Sequence, residues 1–478
     1  MEYLINIKNY HFKFILSLSS AIVHQLGSSI VTTIGNFCVY FVSYIHYKDT
    51  WVNMQYGNMM SSIIFLLLSS FSPLSGVMEK NIGPRLTLLI SSLIIEVSLI
   101  LYYFQRNLWL FYAISVLIGL GSGLSIGVTE KNSCRYYPKY KGIINSSTLF
   151  ISYFAGSFYS YLGEIIINPN YEKVIDKDNN PLYPEEVSKR SVYFFLLSMI
   201  VIPITCLLSI LMFIKYEPKE DENQNLTQKE IKDEDKTTNT GEIINNFRFW
   251  RINLLSSLTP FWVYFLTGTY RAYLPLLDIS QNTISKIPTI VNIIYSISGV
   301  LWAFLVDKFG FKIIIRILTL ISLILSILFV VFSLTYNLFS SFYLIGFFFS
   351  TIMSRSSYMS IMVPHIMNIY EFRNYLIIGG FARLFNQSNA FFSALTSVLI
   401  SLKYKTGEEL KTPYRIVASV GFVFALIGFI LSFQENDKKF KFENSEENDG
   451  NNLGMDNLRL SSEDDDKQNK ENGKNNEN

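Results

Sequence analysis

Long apolar stretches separated by short polar turns run through the chain, and one highly charged segment near the middle divides them into two sets of six. A stretch of about 20 mostly apolar residues matches the thickness of a bilayer's hydrocarbon core. No water is available there to satisfy the backbone, so each stretch is predicted to close its own hydrogen bonds as a helix. The first six spans fall at 14–45, 56–78, 86–104, 108–130, 142–166 and 191–214. The second six fall at 250–275, 285–306, 311–334, 337–364, 374–402 and 413–433. The first span is longer than one crossing needs. Gly27 and Gly35 could kink it, or its end could extend as an aromatic rim of Tyr40, Phe41 and Tyr44.

The predicted fold class is therefore an all-α membrane protein, with twelve transmembrane helices in two six-helix, pseudo-symmetric bundles. The bundles take residues 1–215 and 248–435. Segments 216–247 and 436–478 are rich in Glu, Asp, Lys and Asn and too poor in apolar residues to build a core. They are predicted to be a disordered linker and tail. Lys8 and Lys13 precede an apolar run too long for a cleaved signal, so the first span is expected to be an uncleaved anchor.

Composition sharpens the picture. Half of the residues are hydrophobic and only 16% are charged, whereas a soluble domain carries more charge on its surface. The formal net charge of +2 gives no reason to expect nucleic acid as a partner. Cys38, Cys134 and Cys206 lie far apart, form no CxxC pair and suggest no metal, so structural cysteines are expected. With the N-terminus placed inside, inner turns carry Lys80 and Arg85, then Lys131, Arg135, Lys139 and Lys141, then Lys308, Lys312 and Arg316, and finally Arg373. Most outer loops are poorer in basic residues, which predicts both termini on the cytoplasmic side. The expected location is the plasma membrane, with a vesicle or organelle membrane as the alternative.

Two turns match each other. Between spans two and three the chain reads Gly76-Val-Met-Glu-Lys80-Asn-Ile-Gly83-Pro84-Arg85, and between spans eight and nine it reads Ala303-Phe-Leu-Val-Asp307-Lys308-Phe-Gly310-Phe-Lys312. Each ends one span, turns on a glycine and opens the next with a basic residue. This pair resembles the G-x-x-x-D-R-x-G-x-R/K loop of the major facilitator superfamily. The first copy departs from it, with Lys80 and Asn81 where Asp and Arg are usual and Glu79 one residue early. The resemblance implies gating roles for Gly76, Gly83, Arg85, Asp307, Gly310 and Lys312. After span four, Arg135-Tyr-Tyr137-Pro138-Lys139-Tyr-Lys141-Gly142 is similar to a turn of the monocarboxylate and oxalate:formate transporter group. Ile167-Asn168-Pro169 and Tyr183-Pro184-Glu185-Glu186-Val187 resemble protist members of the oxalate:formate antiporter-like set.

Ionisable residues at bilayer depth are functional candidates. Arg383 lies inside span eleven, one turn from Asn386 and Gln387. Its planar fork suits a carboxylate, and the resemblance implies a substrate-binding basic residue on this helix. The group's second basic residue, on span eight, has no counterpart here; Asn292 and Tyr295 stand on that helix instead. That favours one carboxylate plus neutral polar groups over a dicarboxylate. Arg355, Gln25 and Tyr153 complete the predicted binding set. His24, midway down span one, and Glu96, in span three, are candidates for proton coupling. Arg271 and Glu164, near outer span ends, read as interface anchors.

These residues predict a secondary transporter working by alternating access on a small organic anion. The best expectation is a monocarboxylate (lactate-, formate- or pantothenate-like), moved with a proton or by anion exchange. An amino-acid or other nutrient carrier of the same fold is the alternative, and a transport-dead sensor or scaffold is a third. No enzyme activity, metal or cofactor is expected, and neither a nucleotide-binding P-loop nor a nucleophile-base set is present in the sequence. The expected partners are the anionic substrate and the bilayer, with the monomer as the working unit.

Overall fold

The computed structural model describes residues 2–52, 56–104, 107–137, 140–173, 175–177, 180–216, 243, 245–261, 264–266, 280–332, 355–403 and 411–434. The central linker from 217 to 242, the tail from 435, the start of span ten, Arg271 and Pro138-Lys139 lie outside them. Residues Met1–Asp437 form one compact unit. The described residues are nearly all helical. The helices of the first half are α1 (Glu2–His46), α2 (Tyr56–Ile82), α3 (Pro84–Phe104), α4 (Leu108–Ser125), α5 (Val128–Tyr136), α6 (Lys141–Ile167) and α7 (Glu185–Met212). Those of the second half are α8 (Phe247–Leu258), α9 (Gln281–Phe309), α10 (Phe311–Phe332), α11 (Arg355–Lys403) and α12 (Lys411–Gln434). Among the described residues, eight helical segments are long and apolar enough to cross a membrane.

The distribution of side chains is that of a protein solvated by lipid. On α3 the exposed face carries Leu86, Leu89, Leu93, Val97 and Ile100, at helical spacing. On α7 it carries Ile200, Ile204, Leu207 and Leu211, and on α10 Ile313, Ile317, Leu320 and Ile324. Serines instead lie inside, where many bond a carbonyl of the preceding turn: Ser98 to Ile94, Ser115 to Phe111, Ser198 to Phe194. Such back-bonding lets a hydroxyl sit in an apolar interior without an orphan donor. Small residues also let helices approach closely where no hydrophobic effect drives them together. A Cβ at Gly119 of α4 would lie 2.9 Å from the Ile64 carbonyl of α2, and one at Gly121 would lie 3.0 Å from the Ser91 carbonyl of α3.

Large aromatic side chains fill the rest of the first half. Phe41 stacks on Phe111 with centroids 4.3 Å apart, and Tyr102 lies between Phe111 and Phe195. A short hairpin, β1 (Ile175–Lys177) with β2 (Asn180–Leu182), pairs antiparallel in the α6–α7 loop. The residue after it is buried against α1: the Tyr47 hydroxyl donates to the Tyr183 carbonyl at 2.9 Å. Burial, and then the Glu185 carboxylate, push the Tyr47 pKa up, which keeps that donor protonated.

Two elements differ from expectation. Span four is not continuous: it breaks at Ile126-Gly127, where Gly127 takes φ +83°, and α5 restarts at Val128. A left-handed residue ends the α4 hydrogen-bond ladder, and glycine is the residue that adopts it without steric cost. Conversely, α11 runs unbroken for 49 residues through the expected turn between spans ten and eleven. That turn, residues 365–373, contains no glycine or proline, so nothing there stops the helix. Pro364 sits inside α11.

The two matching turns adopt matching backbones. Gly83, between α2 and α3, has φ +85°, and Gly310, between α9 and α10, has φ +83°. Both lie at the end of the bundle that carries the basic turns, called the basic end below.

Candidate functional site between the halves

Arg383, on α11, is buried where the second half meets the first. Its Nη2 lies 3.5 Å from Glu130 Oε2 on α5, and its Nη1 donates to Ser72 Oγ on α2 at 3.2 Å. Gln25 Nε2 on α1 donates to the other Glu130 oxygen at 2.7 Å. One side chain of the second half is thus held by α5 and α2 of the first, with α1 bracing the Glu130 carboxylate. The break in span four makes the approach possible. A Cβ at Gly127 would lie 3.1 Å from Arg383 Nη1 and 3.0 Å from Leu376 Cδ2. The restart also points a fresh helix N-terminus at this place. The first turn of a helix has N–H groups with no intrahelical acceptor and a partial positive charge.

Glu130, Ser72 and Gly127 are functional candidates that sequence reasoning missed. Glu130 stands at the predicted end of span four, next to a basic turn, and was not singled out. The available signal was the row Thr129, Glu130, Asn132 and Ser133, four polar residues that the structure buries.

The predicted binding residues divide into those at this site and those elsewhere. Gln25 and Arg383 meet through Glu130. Gln387, one turn further along α11, is buried, and its Oε1 has no hydrogen-bond partner within reach. The Thr129 hydroxyl beside Glu130 is also buried without a partner. Asn386 is committed inside the second half: its Nδ2 donates to the Ser256 carbonyl at 2.8 Å, and its Oδ1 accepts from the Tyr264 hydroxyl. Asn292 and Tyr295 belong to a seam between α6 and α9. Asn292 Nδ2 is 3.5 Å from Ser160 Oγ, which also accepts from Asn36 at 3.1 Å. Tyr295 packs on Tyr153 with centroids 5.4 Å apart. The side chain of Arg355 lies outside the described residues. His24 is buried next to Gln25 with Nδ1 unpartnered, and Glu96, on α3, has a buried Oε2 without a partner. Glu164 is not a surface anchor: it is buried and accepts from the Tyr40 hydroxyl at 2.7 Å. The three cysteines are buried, and none of them is in a disulfide.

The gate candidates lie at the basic end. In the first turn, Glu79 pairs with Lys131 of α5 at 2.8 Å, and Arg85 Nη2 donates to the Phe213 carbonyl at the end of α7 at 2.8 Å. Both contacts stay within the first half. The second turn bridges the halves: a Cβ at Gly142 would lie 2.7 Å from Asp307 Oδ1. That places the Asp307 carboxylate on the N-terminus of α6, where the helix dipole favours a negative charge. Further along the same seam, Ser157 donates to the Thr289 carbonyl at 3.1 Å. On the other side, Gly380 of α11 abuts Pro73 of α2, with a Cβ position 2.7 Å from the proline ring. The halves are therefore closed against each other at the basic end. Gly76, Gly83, Gly310 and Lys312 belong to the same two turns.

The family model for the Major Facilitator Superfamily matches residues 25–393. Among solved structures, the chain is similar to the proton:xylose symporter XylE bound to 6-bromo-6-deoxy-D-glucose. The TM-score is 0.63 at 14% identity, over 88% of this chain and 95% of that one. It is also similar to the nucleoside transporter NupG, with TM-score 0.57 at 13% identity, over 88% of this chain and 99% of that one. At these identities the likeness concerns the fold. No curated protein sequence matches the chain.

Proposed function

Because the chain belongs to the Major Facilitator Superfamily, we propose that it is a secondary transporter whose cargo is a small monocarboxylate, moved together with a proton by alternating access. The observation that carries this reading is the buried Arg383–Glu130 pair at the break between α4 and α5. A buried guanidinium offers a planar fork to a carboxylate, and here it comes from one half while its partners come from the other. A substrate carboxylate at Arg383 would compete with Glu130. Two carboxylates on one guanidinium in a low-dielectric site repel each other, so one of them takes a proton. Glu130 is then the group that holds the coupled proton, with Gln25 keeping its side chain in place. His24, next in sequence to Gln25, is a second place for that proton. Proton symport follows from this charge balance more directly than anion exchange does.

The same pair supports a second reading. An arginine and a glutamate 3.5 Å apart form a neutral site with opposed charges. A zwitterionic amino acid could bridge it, carboxylate to Arg383 and ammonium to Glu130. The structural relatives named above carry a sugar and a nucleoside, and neither cargo calls for such a pair.

The test is uptake by the full-length protein in vesicles, across labelled monocarboxylates and amino acids, with and without a proton gradient. Wild type is expected to accumulate a monocarboxylate only when the gradient is present. Arg383→Ala should abolish uptake. Glu130→Gln should keep substrate exchange but lose gradient-driven accumulation. Wild-type uptake by Arg383→Ala would overturn the site. Gradient-independent uptake of an amino acid, lost in both variants, would select the second reading.

A further inference from the structure

Away from the interface between the halves, a cavity of about 480 Å³ opens at the basic end of the first half. Three elements build it: Lys13 of α1, the turn and first residues of α3 including Gly83, Arg85 and Leu86, and Phe213 with Lys215 just after α7. Among the described residues that line it none is acidic. Three cations, Lys13, Arg85 and Lys215, converge there from three separate parts of the sequence. The Arg85 bond to the Phe213 carbonyl, at 2.8 Å, fixes the guanidinium with one donor and leaves the rest of the fork. The first turn of α3 adds backbone donors. Thr87 is the first residue of that turn whose N–H bonds back, to the Gly83 carbonyl at 3.1 Å, so the N–H groups of Arg85 and Leu86, which line the cavity, have no intrahelical acceptor.

We propose that this cavity binds the phosphate headgroup of an anionic phospholipid. Its level and its flanks favour a lipid over a soluble phosphate. It sits where α3 begins and α7 ends, at the boundary of the apolar spans. From there the exposed apolar faces of the two helices, Leu86, Leu89 and Leu93 on one and Leu207 and Leu211 on the other, lead away along the bilayer. The helices pack side by side, with Cys206 Sγ donating to the Leu88 carbonyl at 3.6 Å. The result is a basic cup at the head of an apolar bed that two acyl chains can occupy. Clustered Lys and Arg at the end of membrane helices attract anionic headgroups through both charge and hydrogen bonds.

Native mass spectrometry of the full-length protein, purified with equal amounts of phosphatidylglycerol and phosphatidylcholine, tests the assignment. Wild type is expected to retain phosphatidylglycerol preferentially. The double variant Lys13→Ala/Lys215→Ala should lose that retention by about tenfold or more. Lys215→Ala alone, at an exposed position, should give an intermediate loss. The matched double variant Lys48→Ala/Lys173→Ala, at the opposite end of the bundle, should retain phosphatidylglycerol as wild type does. Equal retention by both double variants would overturn the site. Displacement of the lipid by millimolar inorganic phosphate or glycerol 3-phosphate would overturn the lipid assignment and make the cavity a small-anion site.

Discussion

At the residue scale, Gly127 matters as much as Arg383, although it carries no functional group. Its φ of +83° ends α4, and its missing side chain leaves room for the guanidinium. Gly127→Ala therefore has two separable effects. Forcing alanine into the left-handed region costs about 1 kcal/mol. The added methyl, 3.1 Å from Arg383 Nη1, also displaces the proposed binding group. Gly310→Ala separates backbone strain from contact with Arg383: its φ is again +83°, its ψ is 154° instead of −15°, and nothing lies within 4 Å of the added carbon. Both variants are expected to lose thermal stability, Gly310→Ala at least as much as Gly127→Ala, while Gly127→Ala alone raises the KM for transport. Equal KM values would show that the contact with Arg383 is irrelevant to binding. Arg383 was legible in the sequence because an arginine inside an apolar span is conspicuous. Glu130 was not, because a carboxylate one residue from a basic turn looks solvated until the fold buries it. Asn386 misled for the opposite reason: helical spacing placed it beside Arg383, but spacing does not reveal that Tyr264 and Ser256 already use its amide.

At the element scale, the two repeated turns share a backbone but not a task. Glu79 ties α2 to α5 within one half, whereas Asp307 rests on the start of α6 in the other half. The motif alone showed that these turns correspond. It did not show which of them crosses the interface, because that depends on how the bundles face each other. Asp307→Ala is expected to loosen the basic end, since a carboxylate at a helix N-terminus contributes up to about 1–2 kcal/mol. A cysteine replacing the buried Ser146 of α6 should then react about two- to fivefold faster with a membrane-impermeant thiol reagent added from the basic side. An unchanged rate would mean that the α2–α11 contact at Pro73 and Gly380 holds this end shut without help. Element boundaries were the weakest part of the sequence reading. Apolar runs report burial in lipid, and that signal is blind both to the unwinding at Gly127 and to the continuity of α11 through Arg373.

For the whole molecule, the hydropathy pattern carried the architecture: long apolar runs, a polar divide and paired turns are enough to imply two facing bundles. Cargo was less legible, because at the proposed site it would depend on a few side chains brought together from α1, α2, α5 and α11. The charge balance of that site sets an expectation for transport as a whole. One proton moving with one monocarboxylate carries no net charge. A membrane potential acts on a moving charge with about 2.3 kcal/mol per 100 mV. Monocarboxylate uptake driven by a pH gradient should therefore not respond to an imposed potassium diffusion potential. Potential-dependent uptake would refute one-to-one symport and would fit a zwitterion travelling with a proton.

Helix α1 has a mechanical consequence of its own. It is one uninterrupted rod of 45 residues, about 68 Å long at the usual rise, more than twice what a bilayer's apolar core spans. Tyr10 and His11 clamp it to the Tyr136-Tyr137 corner, through bonds of 2.5 Å each. A rod so fastened tilts with its own bundle, as the needle of a gauge follows its axle. A fluorophore on the helical stretch before Tyr10 would therefore register each rocking stroke of the bundle, without touching the proposed transport path.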